Sequence, residues 1–111
     1  MPLPETEKTI TLEAVGAPEF EVTFKRLPGM LYEESQKYHR VAVQIKDSGH
    51  KAEHMFKSLV ISWNLEDKDG TTHSLPSDDP KVIWRVPTHF VDHIASEMAK
   101  DAVGEEESGL A

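Results

Sequence analysis

Apolar and polar residues alternate twice near the start of the chain. Thr9-Ile10-Thr11-Leu12 and Phe20-Glu21-Val22-Thr23-Phe24 both repeat at period two, the spacing of a strand with one buried face. Val15-Gly16-Ala17-Pro18 lies between them and punctuates a turn. The pattern predicts a β-hairpin with Ile10, Leu12, Phe20, Val22 and Phe24 on one face. A lone hairpin is marginal in water, so that face must cover something. Leu27-Pro28-Gly29 stops the second strand, and Pro is tolerated in a first helical turn. Leu31, Tyr38, Val41, Ala42 and Ile45 then recur at helical spacing and predict a helix over 30–46. Glu33 and Glu34 suit the positive end of its dipole, and Arg40 and Lys46 the negative end.

Asp47-Ser48-Gly49 ends that helix and can cap the next one. Ala52, Met55, Phe56, Leu59 and Val60 form one stripe of a second helix, which stops near Ile61 where the period changes. Ile61-Ser62-Trp63-Asn64-Leu65 alternates as a short strand, and Asp67-Lys68-Asp69-Gly70 reads as a turn. Residues 71–75 are expected to return as a short partner strand. Residues 76–80 form a loop with an N-cap candidate at Ser77 or Asp78. Val82, Ile83 and Val86 suggest one or two helical turns before Pro87. A last helix, capped by Thr88, turns Phe90, Val91, Ile94, Met98 and Ala102 inward. The expected fold is α+β: an N-terminal β-hairpin, then a small, mainly α-helical domain with a short Trp-containing strand and turn. Residues 1–103 form one domain, with 1–7 as a loose lead-in. Residues 104–111, opening with Gly104 and three consecutive acids, read as a disordered acidic tail.

Composition narrows the function classes. The 111 residues suit one modest core. There are no cysteines, so neither disulfides nor thiolate chemistry are available. A net charge of −8 argues against a phosphate backbone as the main partner. The longest apolar run, Leu59-Val60-Ile61, spans no membrane, and residues 1–5 lack the basic and apolar regions of a signal peptide. The expectation is a soluble intracellular protein that binds neither nucleic acid nor membrane.

The chemical motifs are thin. His50-Lys51-Ala52-Glu53-His54 has the H-x-x-E-H spelling of inverted zinc proteases, and His89 and His93 repeat the i, i+4 spacing. A catalytic zinc also needs a third ligand and a pocket that excludes water. His50 and His54 fall off the apolar stripe of their helix, so both pairs are expected on solvated helix faces. Asp67-Lys68-Asp69-Gly70 fails as a calcium loop, because Pro76 stands where the bidentate Glu belongs. No serine has a nucleophile-elbow context, and no glycine-rich loop could cradle a phosphate. The sequence therefore predicts no enzyme, no cofactor and no metal. Trp63 and Trp84 read first as core residues, since Trp buries a large area. The alternative is that one of them anchors a partner, and Tyr32 and Phe90 carry the same two readings.

One stretch is more specific. Leu59-Val60-Ile61-Ser62-Trp63-Asn64-Leu65-Glu66-Asp67-Lys68-Asp69-Gly70, then Ser74-Leu75-Pro76-Ser77, then a final helix through Val91 and Ile94, resembles the tail assembly chaperones of long-tailed bacteriophages. In that family a helix ends in a segment of the form apolar-x-x-Trp-x-Leu-x-Asp-x-Asp-Gly, followed by a Leu-Pro-like loop and C-terminal helices. Leu27-Pro28-Gly29-Met30-Leu31-Tyr32, after two strands, is similar to members from phages of actinobacteria. The resemblance spans roughly residues 20–100. It implies a non-enzymatic role in viral morphogenesis in the host cytoplasm. There the protein would bind the tape measure protein, keep it soluble until the tail tube polymerises, and be absent from the finished virion. It also implies self-association, the major tail tube protein as a second partner, and a longer product made by frameshifting near the acidic tail. The contact surface expected on this basis is the Trp63 strand and the last helix: Trp63, Leu65, Trp84, Phe90, Ile94 and Met98. Met30, Leu31, Met55 and Met98 either supply an adaptable groove or fill the core. The competing expectation is a structural virion protein, a minor tail or head–tail joining subunit.

Overall fold

The computed structural model describes residues 6–103. The architecture is α+β with an N-terminal hairpin, as the patterning predicts. Strands β1 (Glu7–Leu12) and β2 (Ala17–Lys25) pair antiparallel, with Thr9 opposite Thr23 and Ile10 opposite Val22. A 3-10 turn at Glu13–Val15 joins them, and Gly16, at φ 85°, supplies the left-handed residue that the reversal needs. The register shifts between Thr11 and Leu12, so Leu12 faces Ala17 and stays inside. β1 starts at Glu7, two residues before the alternation signals it, so the loose lead-in cannot extend to residue 7. Residues 1–5 of that lead-in and the acidic tail lie outside the described residues.

A 3-10 turn at Leu27–Gly29 leads into α1 (Tyr32–Ala42). α1 is shorter than the apolar spacing suggests. The N–H of Gln44 donates to Val41 and that of Ile45 to Ala42, three residues back, so the helix tightens and unwinds there. α2 (Ser48–Leu59) begins where the Asp47 side chain accepts the His50 N–H at 2.9 Å. Its C-terminal neighbour Val60 is already extended and opens β3 (Val60–Trp63). β3 pairs antiparallel with β2, placing Trp63 opposite Val22, so β2 is the central strand of three. Residues 71–75 do not form the expected partner strand; a single bridge links Glu66 and Thr72. A 3-10 segment at Pro80–Arg85 follows, capped by Asp79 rather than by Ser77 or Asp78, and then α3 (Thr88–Val103).

One core joins the pieces. Leu12, Val22 and Phe24 from the sheet meet Phe56 and Leu59 of α2, Val82 and Ile83 of the 3-10 segment, and Ile94 and Met98 of α3. Fully burying each of these side chains contributes roughly 1.5–3 kcal/mol. At the far end of α3, Asp101 is buried and accepts from Nε of Arg26 at 2.8 Å. That ion pair ties the exit of β2 to the last turn of α3. Among the described residues no helix is long and apolar enough to cross a membrane.

Candidate binding surface

The Trp63 turn is built from backbone economy. Asn64 continues the sheet with its side chain: its Oδ1 accepts from the Glu21 N–H at 2.7 Å, and its Nδ2 donates to the Glu19 carbonyl at 3.1 Å. The indole N–H of Trp63 donates to the His73 carbonyl at 3.1 Å, and the His73 N–H donates to Leu65 at 2.8 Å. Asp67 closes the reversal by accepting from the N–H groups of Asp69 and Thr71, with Gly70 at φ 82°. Trp63 is half-buried, with its ring 6.5 Å from that of Phe56. The apolar–Trp–Leu–Asp–Gly stretch thus describes a self-contained turn locked onto the core by Leu65.

The six residues expected at a contact surface separate into two groups. Leu65, Ile94 and Met98 are 1%, 0% and 2% exposed and belong to the core. They cannot meet a partner on the folded chain, because their stripe is what α3 and the turn pack with. Trp63 and Phe90 are half-buried, Phe90 standing edge-on to Phe20 at 6.1 Å. Trp84 is 56% exposed. It stands in a 3-10 segment rather than a helix, and Val82, Ile83 and Val86 take the inward positions. The spacing of those three aliphatics already leaves residue 84 on the opposite side, a signal present in the sequence.

Trp84 is held by its polar edge. Its indole N–H donates to Oε2 of Glu53, which also accepts from Nζ of Lys81 at 3.2 Å. Its ring lies over Gly49, where a methyl group would collide with it. Partial burial alone would raise the Glu53 pKa, but the hydrogen bonds from Trp84 and Lys81 together hold it below the ordinary value. Asp47 is also held low, by the hydrogen bonds it accepts from the backbone and ring of His50. Asp79 is held low by the Arg85 guanidinium at 2.7 Å.

The H-x-x-E-H letters do not gather into a ligand set. The His50 ring is bonded to Asp47 at 2.7 Å, and Glu53 is engaged by Trp84. His54 is half-buried rather than solvated. Its Nε2–H donates to the Tyr38 carbonyl at 3.0 Å, and its ring stacks on that of Tyr38 with centroids 4.7 Å apart. Among the described residues no three His, Asp or Glu side chains are placed to share a metal ion. Tyr38 is the one buried residue of α1, and burial pushes its hydroxyl pKa up.

The exposed apolar surface lies mainly around α1, where the sequence offers Leu31 and Tyr32, but neither Val41 nor Val43, as contact candidates. Leu31, Tyr32 and Val43 are 76%, 79% and 78% exposed, and Val41 is 46% exposed. Met30 and Met55 pack partly against the core. No family model matches the chain, and neither a curated protein nor a solved structure does.

Proposed function

We propose that this protein is a tail assembly chaperone of a long-tailed bacteriophage, binding the tape measure protein and keeping it soluble while the tail tube polymerises around it. The observation that carries the reading is the surplus of apolar surface on a domain whose core is complete without it. Leu31, Tyr32, Val41 and Val43 on or beside α1 are exposed, as are Trp84 and Val103 elsewhere, whereas fourteen other apolar residues are buried in a single cluster. Contiguous exposed apolar surface marks interaction sites, and four of these residues lie on or beside one helix. A holdase needs such a surface together with a charge that keeps its own copies soluble, and −8 on this chain meets the second need. The resemblance of the Trp63 stretch to that family is the second support.

Co-expression with the tape measure protein encoded in the same genome tests the reading. The client is expected to move into the soluble fraction and to co-purify with this chain. A client that stays insoluble at equal expression sinks the proposal. Abundant peptides of this chain in purified virions would point instead to a structural tail or joining subunit.

A further inference from the structure

Charge is unevenly placed along the chain. Residues 30–60 hold five Lys or Arg, four Asp or Glu and three of the six His, whereas residues 61–111 hold four Lys or Arg and eleven Asp or Glu. The balance is +1 against −7, with −2 in residues 1–29. α1 and α2 lie in the first of these segments. Two open depressions share His54 in their lining. One, of about 590 Å³, is lined by Ile45, Lys57 and Lys81; the other, of about 250 Å³, by Val41, Lys37 and Met30. Their carboxylates are already engaged: Glu53 by Trp84 and Lys81, and Glu34 by Lys25 at 3.5 Å. Among the described residues no ion pair engages Lys57, and the pair of Lys37 with Glu33, at 3.6 Å, is solvent-exposed and exchangeable.

We infer that this trough docks an acidic amphipathic helix of the partner protein. Apolar residues recurring at i, i+3 or i+4 over three or more turns of that helix would face Met30, Val41 and Ile45, and its flanking carboxylates would face Lys37, Lys57 and Lys81. The inference rests on the proposed function and supplies the chemistry of the bound segment. Two physical arguments select this occupant. Most of the trough's lining comes from α1 and α2, whose mid-helix N–H and C=O groups are used internally. An extended strand would find no backbone partners there, so the occupant must satisfy its own backbone, as a helix does. Three lysines against two carboxylates line the trough, so it favours acidic flanks over basic ones.

Fluorescence anisotropy with three probes tests the inference. The first is a synthetic peptide of roughly 18 residues, about five helical turns, with Leu at the anchor positions and Glu on the flanks. The second carries Lys in place of Glu, and the third is a single-stranded oligonucleotide. The Glu peptide is expected to bind, more tightly at low salt. The double variant Lys37→Glu/Lys57→Glu should weaken it about tenfold or more. Val41→Ser should weaken it by a smaller factor at all salt concentrations. All three positions are on the surface, so the far-ultraviolet circular dichroism should not change. Equal or tighter binding of the Lys peptide or the oligonucleotide overturns the inference, as does retained affinity in the double variant. Introducing the double variant into the co-expression assay separates the two proposals. If the tape measure protein stays soluble with a variant that no longer binds the Glu peptide, docking is elsewhere and the chaperone reading survives. If wild-type chain never solubilises the client, the chaperone reading falls, and the peptide titration still decides the trough.

Discussion

The sheet with α3 and the α1 helix are held in different ways. On the first side Phe24, Phe56, Leu59, Ile94 and Met98 are sealed, and Arg26–Asp101 pins the end of α3 to the exit of β2. On the second, α1 gives the core one residue, Tyr38, which stacks on His54, while Leu31, Tyr32 and Val43 stand in solvent. Stability is thus concentrated in one region and available apolar surface in the other. A surface meant to exchange between water and a partner must be of this second kind, because elements that rearrange or bind are drawn from the less stable parts of a fold.

Four substitutions or conditions probe that contrast, from the largest effect to the smallest. Phe56→Ala, in the sealed region, should lower unfolding free energy by about 3–5 kcal/mol, read as the denaturant midpoint; a shift no larger than that of a surface mutant would mean the core is not organised around this ring. Arg26→Met leaves Asp101 buried without its cation, and the second oxygen of that carboxylate has no partner among the described residues. It should cost about 3 kcal/mol, much of it recovered by adding Asp101→Asn. Tyr38→Ala should cost about 1–2 kcal/mol globally. Its main signature is local: amide exchange over Tyr32–Ala42 should quicken far more than in α3. Equal acceleration in both helices would erase the distinction between the regions.

The smallest effect is in pH. Asp47, Glu53 and Asp79 all have depressed pKa values in the folded chain. Their contribution is present above the unfolded carboxylate range, about pH 4, and is lost as the pH falls through the folded values. Melting temperature should therefore drop on acidification below about pH 4, less steeply in Asp79→Asn. Tyr38 acts in the opposite sense. Its raised pKa favours the neutral hydroxyl in the fold, so stability is full below its ordinary value of 10.0 and declines as the pH rises beyond it.

Much of the fold was legible because its signals are local. The period-two runs at 9–12 and 20–24 became β1 and β2, and Ile94 and Met98 turned inward as the stripe of α3 requires. The pairing of β3 with β2 was not legible, since no local pattern states which distant strand Trp63 will face. The end of α1 is not legible, because apolar spacing continues through Ile45 while the backbone hydrogen bonds change type at Gln44. The candidate surface was half legible. Apolar periodicity identifies residues that could pack, but not which of them the core has room for. It therefore grouped Leu65, Ile94 and Met98 with Trp84. The cover over His54 is not legible for a related reason: a polar residue beside an apolar stripe can still be covered when a neighbouring helix lays a ring across it.

The seat of Trp84 has a spectroscopic consequence. The chain holds two tryptophans. One indole lies across Gly49 and is tethered by Glu53; the other is tucked beside Phe56 and bonded to His73. Acrylamide should reach the first far more readily than the second, so Trp84→Phe should remove most of the quenchable emission. Light from that ring then reports, without any added dye, whatever settles against the start of α2.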